Sequence, residues 1–84
     1  MTEVDPFSPT PLHRQVAEIL RDEIRSGRIA PGMPLPSQAT LVQTYGIARG
    51  TAARALKILV EDGLAVVSPG RGTYVKPTGL RPKD

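Results

Sequence analysis

The strongest constraint on the fold lies in residues 35–75, LPSQATLVQTYGIARGTAARALKILVEDGLAVVSPGRGTYV. Two short helical patterns are split by a turn that contains Gly46, and a Ser-Pro-Gly-Arg-Gly connection follows them. In the second pattern Ala52, Ala55, Leu56, Leu59 and Val60 recur at helical spacing and make one apolar stripe. At about 100° per residue, Gly50, Ala53, Arg54 and Lys57 fall on the opposite side, with Arg49 and Thr51 flanking them. Such a helix seals a core with one face and offers small and basic residues on the other. That second face suits the major groove of DNA.

The elements around this run are legible from spacing and punctuation. Leu12, Val16, Ile19, Leu20 and Ile24 predict a helix over residues 11–26. The Thr10 hydroxyl is expected to cap it, Pro11 to occupy its first position and Gly27 to stop it. Pro31, Gly32, Pro34 and Pro36 exclude a helix from the next stretch and predict a turn with a short extended piece at 33–35. Ser37 is placed to cap a second helix, with Leu41, Val42 and Tyr45 as its apolar residues and Gly46 as its stop. Ile47 is the apolar residue of the turn, and the third helix runs from about Arg49 to just before Gly63. Residues 64–67 and 73–75 read as a two-stranded hairpin, a wing. Residues 1–9 are expected to form a loose arm and residues 77–84 a tail or linker. The expected fold class is therefore mainly α (α+β). It comprises three helices and a small β-hairpin over residues 10–76, with Leu20, Ile24, Leu56, Leu59 and Val60 in the core.

Size and charge narrow the function. A chain of 84 residues is one small domain, too small to hold a sizeable ligand pocket beside its core. It has no cysteine, which excludes disulfides and thiolate metal sites. It has no apolar run of membrane-spanning length and no signal-peptide pattern at its start, so a cytoplasmic, nucleoid-associated protein is expected. The net charge is only +3, but its distribution is uneven. Between Ile24 and Val60 stand Arg25, Arg28, Arg49, Arg54 and Lys57 without one acid, and Arg71, Lys76, Arg81 and Lys83 follow Gly63 in a second acid-free stretch. Folded onto one side these make a positive surface; folded apart they are ordinary solvated charges.

Several side chains have the chemistry for DNA. Arg49 begins the third helix, where an arginine can bond guanine O6 and N7 together. Arg54 and Lys57 can reach bases or phosphates, and the Thr51 hydroxyl and the helix N-termini can donate to phosphate. Arg71 in the Gly-Arg-Gly wing tip can enter a minor groove or meet phosphate; the alternative is a plain glycine-rich turn. His13 is the one histidine and has no ligand cluster around it, so no metal or cofactor is expected. Glu61-Asp62 opposes the dipole at the end of the third helix and reads as surface solvation. No nucleophile set, phosphate-cradling loop or carboxylate pair supports catalysis.

The parts PLHRQVAEILRDEIRSG, IAPGMPLPSQ, YGIARGTAARALKILVEDGL and PGRGTYV occur in this order at fixed spacing. Together they resemble the N-terminal DNA-binding domain of GntR-type bacterial transcription regulators. The resemblance covers about residues 11–75 and implies a winged helix-turn-helix that binds an inverted-repeat operator as a homodimer. It places DNA contacts at Ser37, Gln38, Ala48, Arg49, Gly50, Thr51, Arg54, Lys57, and the wing tip Gly70, Arg71 and Gly72. Three departures stand out. Gln38-Ala39-Thr40 replaces the usual Glu-Arg-Glu, Ala48 replaces a capping Ser or Thr, and Ala53 replaces a second arginine. The expected function is thus sequence-specific repression of transcription, with the third helix in the major groove and the wing at the flanking minor groove. The alternative is a protein-interaction module on the same scaffold, motivated by the three alanines. A small-molecule effector is expected only if a further C-terminal domain exists, and no membrane partner is expected.

Overall fold

The computed structural model describes residues 3–76. The expected tail at 77–84 and residues 1–2 lie outside the described residues. The element order is α1 (Leu12–Ser26), α2 (Gln38–Tyr45), α3 (Arg49–Glu61), β1 (Ala65–Ser68) and β2 (Gly72–Val75). This is the expected class, three helices and an antiparallel hairpin.

The start of α1 differs from expectation. Its cap is Pro11 itself, in an extended conformation and without a side-chain bond, and the first helical residue is Leu12. Thr10 does not cap; its carbonyl accepts instead from Gln15 Nε2 at 2.8 Å. The same Gln15 amide holds the arm expected to be loose. Gln15 Oε1 accepts from the Asp5 amide at 2.7 Å, and Gln15 Nε2 donates to the Asp5 carbonyl at 2.9 Å. One side chain thus clamps both backbone polar groups of a residue ten positions earlier, and Val4 packs against the core.

The helices bury one face each around a common core. Val16, Ala17 and Leu20 come from α1, Leu41 from α2, and Ala52, Ala55, Leu56 and Leu59 from α3. Leu35, Ile47, Ala65 and Val75 complete it. Ile24 and Val60, expected inside, are only partly buried at its margin. The small side chains of Ala52 and Ala55 let α3 approach its neighbours closely. At the helix-turn-helix corner Gly46 has φ +65°, a left-handed conformation that ends α2 without a Cβ penalty. Ile47 then plugs the corner from beneath. Burial pushes the Tyr45 hydroxyl above the usual tyrosine pKa, with nearby Glu23 adding to the shift, so the group stays neutral.

β1 and β2 pair in the register Ala65↔Val75, Val66↔Tyr74, Val67↔Thr73, Ser68↔Gly72, one residue later on β1 and one earlier on β2 than expected. The turn closes through the Arg71 amide donating to the Ser68 carbonyl at 2.9 Å. Pro69 and left-handed Gly70 at its centre fit a type II turn. The extended piece at 33–35 lies along the other edge of β2. Leu35 N donates to Thr73 O at 2.8 Å, Val75 N to Met33 O at 2.9 Å and Gly32 N to Val75 O at 3.0 Å. A Pro34↔Tyr74 bridge marks the same antiparallel pairing. β2 is therefore bonded on both sides, and the sheet is anchored to the segment that leads into α2.

Glu61-Asp62 is more than solvated surface. Asp62 accepts from the Arg21 guanidinium, which ties the end of α3 to the middle of α1. Both groups are partly exposed, so the pair contributes under about 1 kcal/mol. It does, however, remove an acid from the field of the rest of α3.

Candidate nucleic-acid interface

The N-termini of α2 and α3 and the wing tip meet along one open cleft of about 410 Å³. Ser37, Gln38 and Ala39 line it from α2, Arg49 from α3, and Arg71 and Gly72 from the wing. Residues separated by more than thirty positions in the chain are brought together because β2 pairs with the stretch before Ser37 and α3 packs under α2. Among the described residues no acid lines the cleft.

Ser37 is extended, and its hydroxyl oxygen accepts from the Thr40 amide at 3.1 Å. The same hydroxyl donates to Thr40 Oγ1 at 3.0 Å. It is therefore engaged in capping, which leaves the Gln38 and Ala39 amides as the donors that α2 aims outward. The carbonyl of Ser37 is taken by Leu41 N.

α3 opens differently. Its cap residue Ala48 has the extended backbone of an N-cap but no side-chain acceptor. Ala52 N bonds the Ala48 carbonyl, so the amides of Arg49, Gly50 and Thr51 precede the first intrahelical bond. Ala48, Arg49 and Gly50 are exposed, and no acid stands in the first turn. A positive helix end with free donors is thereby presented to any anion that approaches.

Further along α3, Arg54 and Lys57 are exposed and Thr51 and Ala53 half-buried, while Ala52, Ala55 and Leu56 face inward. The helical periodicity assigned these two faces correctly. Gly70, Arg71 and Gly72 are all exposed at the wing tip. Among the described residues the one ion pair is Arg21–Asp62, so Arg49, Arg54, Lys57 and Arg71 are not neutralised by an acid in contact. Arg25 and Arg28 lie at the end of α1 and do not line this cleft, so only part of the first acid-free stretch joins the surface.

Sequence reasoning missed the contribution of the sheet. A second open cleft, about 290 Å³, lies between α3 and the wing, lined by Ala53, Leu56, Lys57, Val60, Val67 and others. Val67 shares a sheet face with Thr73 and Leu35, which follows from the register but not from the linear pattern. His13 is half-buried on α1, and no cluster of metal-ligating side chains occurs among the described residues.

Three helices around a corner, a wing bonded to the segment before α2, and an open, basic, acid-free cleft define a winged helix-turn-helix DNA-binding domain. Residues 12–75 match the family profile described as "Bacterial regulatory proteins, gntR family", and the chain belongs to that family. It is 43% identical over 68 residues to the HTH-type transcriptional repressor NagR of Bacillus subtilis (strain 168), covering 81% of this chain and 28% of NagR. It is 41% identical over 66 residues to the mannosyl-D-glycerate transport/metabolism system repressor MngR of Escherichia coli (strain K12), covering 79% of this chain and 28% of MngR. The chain thus spans well under a third of the curated relatives' length. Among solved structures it resembles YtrA from Sulfolobus acidocaldarius, a GntR-family transcription factor, with a TM-score of 0.82 and 33% identity over 89% of this chain and 79% of that one. It also resembles the DNA-binding domain of AraR in complex with operator ORX1, with a TM-score of 0.76 and 33% identity over 86% of each chain.

Proposed function

We propose that this domain is the operator-reading part of a transcriptional repressor. In this reading α3 enters the major groove and the wing tip lies at the flanking minor groove. Arg49 bonds a guanine, the Gln38 and Ala39 amides and the open end of α3 hold phosphates, and Arg54 and Lys57 add backbone contacts. Ser37 orders α2, Thr51 donates to phosphate, and Ala48 and Gly50 let the helix end come close. Arg71, between Gly70 and Gly72, anchors the wing. Two copies on an inverted repeat would double this surface. An effector would act through a further domain, as the length of the relatives suggests.

The observation that carries this reading is the convergence of Gln38, Arg49 and Arg71 on one open cleft that no acid lines. Selection from a random duplex library, followed by anisotropy titration of the winner, tests it. An inverted repeat should be enriched, and Arg49→Ala should reduce discrimination against a wrong base at one position per half-site by roughly ten- to a hundredfold, the range of one bidentate contact. Equal binding of all duplexes, or an Arg49→Ala protein that selects the same site as strongly, would rule the reading out.

A further inference from the structure

The deepest part of the reading helix carries little side-chain chemistry. On a helical wheel the buried stripe Ala52, Ala55, Leu56 and Leu59 is opposed in the first two turns by Gly50, with Ala53 on the wing side and Arg54 on the other. Gly50 is exposed and lies in α3 without a positive φ, and a Cβ built on it meets nothing within 4 Å. Neither backbone conformation nor packing inside the domain calls for glycine there, although glycine weakens a helix by roughly 0.5–1 kcal/mol relative to alanine. An exposed glycine there leaves the helix backbone open to a close external approach. From Arg49 to Lys57 there is no Asn or Gln to bond adenine and no Asp or Glu to accept from cytosine.

What the helix offers on the wing side of Gly50 is mainly apolar. Half-buried Ala53 lines the 290 Å³ cleft between α3 and the wing. Leu56, Val60 and Val67 line it as well, together with Gln38, Lys57 and Thr73. Val67 is an aliphatic side chain left 61% exposed on the sheet face that turns toward α3. Gln38, Leu56 and Thr73 line both this cleft and the basic one, so the two are continuous along the same seam. An apolar recess that opens beside a major-groove-facing helix fits one group on a base edge, the C5-methyl of thymine.

We infer that Ala53 and the cleft behind it form a thymine-methyl receptor, which makes Ala53 a specificity-determining residue. The inference rests on the DNA-reading role proposed above. The methyl is taken at Ala53 and Val67, the close approach is permitted by Gly50, and Lys57 holds the adjacent phosphate. A recess of this size also accepts other C5 substituents.

The test uses the selected operator duplex and replaces each thymine in turn by deoxyuridine, which lacks only the methyl. At one position per half-site the substitution should weaken binding about fourfold, the effect of exposing one buried methyl-sized group. 5-Bromodeoxyuridine at that position should restore binding. In Ala53→Gly and in Val67→Ser, which alters an exposed side chain, the ratio of the two dissociation constants should fall toward one. Thermal melts of both variants establish that they are folded. Tight, Arg49-dependent binding that is equal for thymine and deoxyuridine at every position would overturn the inference and leave the DNA-reading role standing. So would a thymine preference that both variants retain. Absence of any selected operator would overturn both.

Discussion

Ala48 shows how one side chain can separate stability from recognition. It holds the extended backbone of a helix cap and supplies no acceptor, so α3 begins with its donors open. A serine there would accept from an amide two or three residues on. Ala48→Ser should therefore stabilise the domain by about 1 kcal/mol, a rise in Tm of about 4–8 °C for a domain of this size. The same cap would occupy one of the amides proposed to meet phosphate. Calorimetry reads the first effect and operator titration the second; an unchanged or lowered Tm would mean that the open amides are already satisfied in the folded chain. Ser37 is the converse case, a hydroxyl closed onto Thr40 at both its donor and acceptor positions. The sequence already separates the two, reading Ser37 as a cap and Ala48 as the loss of one, and the geometry agrees.

At the level of elements, α1 does more than supply core residues. Gln15 binds the Asp5 N–H and carbonyl and the Thr10 carbonyl, so it sets the path of the segment before the helix. Gln15→Ala should cost about 1 kcal/mol net, since the lost bonds are replaced by bonds to water. Amide exchange at Asp5 should accelerate while that of Leu20 and Leu59, deep in the core, changes only with global stability. Equal protection at Asp5 in both proteins would show that Val4 packing alone holds the arm. The helices were legible in the sequence because period and punctuation agree: Gly27, Gly46 and Gly63 stop α1, α2 and α3, and the α3 stripe points inward as its spacing requires. Long-range pairings were not. Gln15 to Asp5, Arg21 to Asp62, and Leu35 to Thr73 join residues that no local period relates. Composition marks the acid-free stretches but leaves open whether they fold together; the fold brings Arg49 and Arg71 to one cleft and leaves Arg25 and Arg28 outside it. The apolar cleft was hidden because it needs the register that turns Val67 toward Ala53 and Val60.

For the whole molecule, charge is arranged more tellingly than its total suggests. A net charge of +3 is small, yet Arg49, Arg54, Lys57 and Arg71 are exposed and Asp62 is drawn back to α1 by Arg21. DNA binding should then fall steeply with salt, because each neutralised phosphate releases counterion. Arg71→Ala should lower the slope of log K against log salt by about one per copy bound, with little change in sequence preference. An unchanged slope would place the wing tip away from phosphate.

The strand β2 is bonded along both edges, to β1 and to the stretch that runs into Ser37, and Lys76 follows directly from its end. Its amides at Val75 and Lys76 donate to Met33 and Leu64, on opposite sides of the strand. A displacement at Lys76 would therefore bear on both neighbours of the strand, β1 and the segment before α2. The path from Val75 runs to Met33 and, four residues later, to the Ser37 cap of α2, so the chain end and the start of the reading surface share one hydrogen-bonded strand.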